Sequence, residues 1–193
     1  MENEQVSNTS VYAPSAKQEA IESRTIACIV DNEPGVLARV VGLFSARGYN
    51  IESLTVAETD EAKHRSRITI VTDGTPSILE QIVLQLARLV PVRRVGVVTG
   101  HPQALEREMA LFKVVAEGEK RVEAARLADI FRAKVVDVSN TSFIFELTGT
   151  REKIDAFREL MKPLGLTDIS RTGVLSINRG PEEGIGDRRR TGD

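Results

Sequence analysis

Between Ile26 and Val98 the apolar residues change their spacing in a set order, and the same order returns between Met109 and Ile177. From Ile26 to Val30 every position is apolar or small, which marks a strand buried on both faces. Asp31, Asn32, Glu33, Pro34 and Gly35 then read as a turn and helix start, with Asp31 or Asn32 as the side-chain cap and Pro34 in the first helical turn. Val36, Leu37, Val40, Val41 and Phe44 form one apolar stripe on a helix that Gly48 ends. Leu54 with Val56, and Ile68 with Ile70, are alternating runs on either side of the polar segment 59–67, as in an antiparallel pair with an exposed loop. Ile78, Leu79, Ile82, Val83 and Leu86 supply a second helical stripe, and Val92 to Val98 a last strand. The order is βαββαβ over roughly 75 residues, which places two helices on one face of a four-stranded sheet.

The second copy runs through a strand at Met109–Val115 and a helix at Gly118–Arg132 with Ala124, Leu127, Ala128 and Phe131 on one side. Strands at Val135–Val138 and Phe143–Leu147 flank a tight turn at Asn140 and Thr141. A stripe of Ile154, Phe157, Leu160 and Met161 follows, and one strand from Ile169 to Ile177 closes the unit. The expected fold is therefore α+β: two tandem ferredoxin-like modules at 24–99 and 108–178, joined by a connector at 100–107. The tail 1–23 is expected to be disordered, with a short helix near Ala16–Glu22 as the alternative, and the tail 179–193 to be flexible and solvated. The acidic start has no apolar run of the kind a secretory signal needs and is not the Arg-rich type of a transit peptide. An open sheet of this kind leaves a face and edges to hide, so a homodimer is expected.

Composition removes most functional classes. Without the tails, 21 basic residues face 20 acidic ones, so no field exists to hold a phosphate backbone. Six Phe, two Tyr and no Trp are too few for base-stacking platforms, and Phe143 and Phe145 sit among apolar residues that suit core packing. The single Cys28 lies within a strand, which excludes an intramolecular disulfide and a Cys-x-x-Cys metal site and suits a reducing compartment. His64 stands in a run with Lys63, Arg65 and Arg67, and His101 precedes a proline; neither has a nucleophile or metal partner nearby in sequence. No apolar run is long enough to span a membrane. No catalytic residue and no metal site is assigned, and nucleic-acid and membrane binding are not expected.

The turn before the first helix is the remaining candidate. A helix N-terminus presents unpaired N–H groups and a partial positive charge, which suit a carboxylate. Asn32 offers a donor and an acceptor, and Gly35 admits a ligand close to the backbone. Asn50 and Ile51 form a second candidate, an amide beside an aliphatic side chain. Together they suit a small zwitterion with an aliphatic side chain. Local chemistry alone favours the plainer roles, Asn32 as an ordinary helix cap and Gly35 as an ordinary first-turn residue.

The run DNEPGVLARVVGLFSARGYNIESLTVAET, Asp31 to Thr59, resembles the start of the regulatory (small) subunit family of acetolactate synthase, also called acetohydroxyacid synthase. Its first part looks like the ligand-binding turn of an ACT domain; LEREMALFKV, Leu105 to Val114, and SRTGVLSINRG, Ser170 to Gly180, extend the likeness through the second module. The resemblance implies a non-catalytic, cytoplasmic chain that dimerises through its ACT domain. Its partner would be a large catalytic subunit carrying thiamine diphosphate, Mg and FAD, and it would activate that subunit and confer feedback inhibition by valine or another branched-chain amino acid. It also implies an effector held between two chains, with Asn32, Gly35, Val36 and Leu37 from one and Asn50 and Ile51 from the other. Ala57 matches a family position where feedback sensitivity changes, and Val36 stands where it would narrow the pocket. The alternative is a free-standing ACT-type amino-acid sensor that controls another enzyme or a transcription regulator.

Overall fold

The structure is a computed structural model that describes residues 20–98, 104–179 and 185. The first module comprises β1 (Glu22–Asp31), α1 (Val36–Arg47), β2 (Ser53–Asp60), β3 (Arg65–Gly74), α2 (Pro76–Leu86) and β4 (Val92–Val97). Its antiparallel sheet has the order β2-β3-β1-β4. Alternation along β1 sends Ile26, Cys28 and Val30 toward both helices, where they meet Val40 and Phe44 of α1 and Ile82 and Leu86 of α2. Gly48, in the left-handed region at φ +68°, stops α1, and Thr75 caps α2 by accepting the Ile78 N–H.

The second module repeats this plan with β5 (Ala104–Val115), α3 (Gly118–Phe131), β6 (Lys134–Val138), β7 (Ser142–Gly149), α4 (Arg151–Met161), β8 (Leu166–Arg171) and β9 (Leu175–Asn178). Its sheet order is β6-β7-β5-β8, with β9 paired to the first half of β5. Phe112, Phe145 and Phe157 meet edge to face in its core. Phe145 is fully buried, while Phe143 lies partly buried under the Arg121 guanidinium. Glu108 of β5 is buried and chelated by Arg171 of β8, whose third contact is Asp155 of α4.

Several boundaries differ from the sequence reading. The expected connector 100–107 is strand from Ala104 onward, because β9 supplies backbone partners from Ala104↔Asn178 to Arg107↔Leu175. The expected single strand Ile169–Ile177 is two strands, broken at Gly173 by its φ of +82°. Residues Glu22 and Ser23, placed in the tail, begin β1, so the alternative helix does not extend over them. The supposed loop 59–67 is a turn of four residues, 61–64, between strands that reach Asp60 and start at Arg65. Within the tail 179–193, Ile185 is only 6% exposed and packs on Ala27 and Val98. Residues 1–19 and His101 lie outside the described residues.

The second face of the first sheet is covered partly by the chain itself. Thr25, Ala27, Thr69 and Val71 point away from the helices and are buried. Contacts from 172–178, Ala104 and Ile185 cross this face. Among the described residues, the first sheet ends in two edge strands, β2 and β4.

Gly165 is tightly enclosed: at φ +103°, a Cβ there would collide with the Val115 carbonyl oxygen. Gly165→Ala is expected to lose about 2–3 kcal/mol of stability through combined backbone strain and clash, seen as a lowered urea midpoint at unchanged slope. An unshifted midpoint would contradict this placement of β8 beside β5.

Candidate functional site

The turn that begins α1 is built differently from the reading in sequence. Gly35, not Asp31 or Asn32, is the N-cap; it takes φ +82°, and no side chain caps the helix. Asp31 is held by Arg93, whose Nε lies 2.9 Å from both carboxylate oxygens, and its carboxylate does not cap the helix. Pro34 precedes the helix instead of occupying its first turn. The Asn32 N–H donates to the His64 carbonyl at 2.7 Å, which ties the turn to the β2–β3 hairpin. No acidic residue occupies the first turn of α1, and nothing lies within 4 Å of a Cβ built on Gly35. By contrast α4 has Thr150 as cap and Glu152 in its first turn. The positive end of α1 is thus both open and unneutralised. Val36 is buried in the core, whereas Leu37 is 39% exposed beside the opening.

Asn50 and Ile51 precede β2. The Asn50 carbonyl accepts from Thr72 Oγ1 at 2.6 Å and its amide donates to Glu52 Oε1. Ile51 packs partly against the module core. Ala57 lies exposed on β2, paired with Arg67 of β3.

These two groups are not brought together within one chain. Asp31 pairs with Arg65 at one end of β3, while Ser53 pairs with Val71, itself level with Thr25. From Thr25 to Asp31 is six strand steps, about 20 Å at roughly 3.3 Å each. One molecule carries each half at opposite ends of the sheet.

Sequence reasoning did not find the junction between the modules. Cavities of about 310 and 430 Å³ lie there, and Arg151 and Val174 line both, as well as a cavity of about 320 Å³ on the second-module side. Arg151 reaches Glu52 at 3.7 Å, and Ser53 Oγ accepts the Val174 N–H at 3.1 Å. Gly173 within the Ser170–Gly180 motif was the one available signal, since a glycine inside a strand pattern marks a break or a close approach. Among the described residues no group of three or more His, Cys, Asp or Glu is placed to hold a metal ion. Among the described residues no helix is long and apolar enough to cross a membrane.

Cys28 is buried in the first core, and desolvation pushes its thiol from an ordinary 9.0 up to about 12. The folded chain therefore keeps the proton where the unfolded chain releases it. Stability from this group is complete below pH 9 and declines as pH rises toward 12. The thiol is expected to resist a disulfide-exchange reagent at pH 8 until urea unfolds the chain; immediate stoichiometric reaction would contradict its burial.

Comparison with known proteins accounts for both modules. Residues 26–94 match the family model of the AHAS small subunit-like ACT domain, and residues 107–180 match that of the small subunit of acetolactate synthase. The probable acetolactate synthase small subunit of Archaeoglobus fulgidus is 48% identical over 156 residues, which cover 81% of this chain and 96% of that protein. The acetolactate synthase small subunit of Mycolicibacterium smegmatis is 44% identical over 85% of this chain and 95% of its own length. The crystal structure of the Thermotoga maritima acetolactate synthase small subunit superimposes with a TM-score of 0.76 at 38% identity, covering 83% of this chain and 99% of that one. With both modules matched in order and nearly the full length of these relatives spanned, the chain belongs to the acetolactate synthase small-subunit family.

Proposed function

We propose that this chain activates a catalytic large subunit of acetolactate synthase and makes it sensitive to a branched-chain amino acid, valine first, in the cytoplasm. The observation that carries the effector site is the start of α1 at Gly35, which has no side-chain cap and no acidic residue in its first turn. The effector carboxylate sits against the N–H groups of that turn beside Asn32, and its aliphatic side chain meets Val36 and Leu37. Asn50 and Ile51 of a second copy complete the pocket. Thiamine diphosphate, Mg and FAD belong to the large subunit, where the bond chemistry takes place.

The sheet register supports the two-chain arrangement. The β2 edge is open within one chain, and such an edge is a template for another strand. Two β2 strands paired antiparallel about a twofold axis set Ser53 of one copy level with Asp60 of the other. Asp60 pairs with Arg65, which pairs with Asp31. Asn50 of one copy then arrives at the sheet end that holds the other copy's Asn32 turn. Ala57 lies on the same edge strand, where a larger side chain would alter the pairing and so the pocket.

Mixing the chain with its large subunit should raise acetolactate formation, and valine should then lower it. Failure of such a large subunit to be activated would overturn the proposal. An effector bridging two copies binds the dimer more tightly than the monomer, so valine should also raise the dimer fraction in sedimentation.

A further inference from the structure

The start of β2 has contacts on both sides. Asn50 donates its amide to Glu52 Oε1, and Glu52 Oε2 faces the Arg151 guanidinium at the start of α4, 3.7 Å away. Ser53 accepts the Val174 N–H, and Thr55 Oγ1 donates to the Thr172 and Val174 carbonyls at 3.4 and 3.3 Å. Gly173 fits only as glycine: a Cβ there would lie 2.7 Å from Ser53 Oγ and 2.8 Å from Thr55 Oγ1. Beside these bonds lies the cavity of about 430 Å³, lined by Thr25, Val71 and Glu106 as well as Arg151 and Val174. The modules thus meet here through polar bonds next to open space, a seam that can shift without tearing either core.

We propose that the start of β2 is the joint by which the second module reads effector occupancy, with Glu52 and Ser53 as positioning residues and Arg151 as the receiving group. This rests on the effector site placed above at Asn32, Gly35 and Asn50. With the effector carboxylate at the helix end, its ammonium faces Asn50 and the neighbouring Glu52 carboxylate. Glu52 then divides its charge between the ammonium and Arg151, and its hold on α4 weakens. Effector binding and the docking of the second module become two demands on one carboxylate, which is a differential interaction of the kind that coupling requires.

The test uses the full chain with its large subunit and valine. Arg151→Gln, which frees Glu52 for the ammonium, is expected to bind valine, by calorimetry, at least as tightly as the parent chain and to activate the large subunit as before. The extent of inhibition by valine is expected to shrink at least about fivefold. Arg151→Lys should recover most of the inhibition, and Ser53→Ala, which leaves the charge pair intact, should reduce it independently. Retained binding with full inhibition in Arg151→Gln would overturn the joint while leaving the effector site standing. Loss of valine binding in a folded Arg151→Gln chain would also overturn it, by making Arg151 part of the pocket. No heat of valine binding to the parent chain would overturn the effector site and the joint together.

Discussion

Gly35→Asp should abolish inhibition by valine while activation of the large subunit survives. The residue is the N-cap of α1 at φ +82°, and a Cβ there enters open space. The backbone strain of a side chain in the left-handed region is about 1–2 kcal/mol, less for Asp and Asn than for other residues. An aspartate at a helix N-terminus also gains about 0.3–1 kcal/mol from the helix dipole. The variant should therefore fold, with a fixed carboxylate standing where the effector's own carboxylate must come. Gly35→Asn carries the same strain and nearly the same volume without the charge. Valine affinity should fall at least tenfold, about 1.4 kcal/mol, further in the Asp variant than in the Asn variant. Equal responses to valine in Gly35→Asp and the parent chain would remove Gly35 from the site. Equal loss in both variants would assign the effect to bulk and not to charge.

The largest loss of stability is expected from Arg171→Met. Glu108 is 3% exposed, and Arg171 donates to both of its oxygens at 2.6 Å and to Asp155 at 2.7 Å. These bonds, above all those to Glu108, hold the guanidinium above its ordinary pKa. Removing the guanidinium leaves a carboxylate buried without its counter-charge, at a cost of about 3–5 kcal/mol. That is a large share of the total stability of a typical domain, about 5–15 kcal/mol. Pairing Arg171→Met with Glu108→Gln removes the stranded charge and should restore much of the loss. Urea denaturation of the parent, single and double variants measures the difference, and a single-variant loss below about 1 kcal/mol would show that the charge finds solvent.

Most elements that were legible in sequence share one property: their pattern reports burial against their own module, with β6, exposed along its length, as the exception. Val36, Val40 and Phe44 recur at helical spacing because one face of α1 is wet. The all-apolar stretch Ile26–Val30 of β1 signals two covered faces, which is what the helices and the 172–178 segment provide. The first half of β5 was not legible, because Glu106, Arg107 and Glu108 look like a solvated connector. Its strand character comes from backbone pairing with β9, and its buried charge from Arg171, 63 positions along the chain. The cap of α1 was misread for a similar reason. Asp31 is an excellent cap by type, but Arg93 on β4 binds its carboxylate instead.

The candidate effector residues were likewise readable by type and not by position. Asn32, Gly35, Asn50 and Ile51 follow from local chemistry and the family motif, since a turn before a helix and an amide beside an aliphatic residue appear directly in the residue order. Sequence by itself determined the βαββαβ order of both modules up to β8, the helix faces marked by Val40, Phe44, Ile82, Leu86, Ile154 and Phe157, and the family. Only the tertiary structure decided that Asn32 and Asn50 stand at opposite ends of one sheet, and that the start of β2 rests on the second module. Periodicity records which face of an element is dry. It carries no record of which distant strand supplies the backbone partners or in what register, because those hydrogen bonds join groups that every residue has in common.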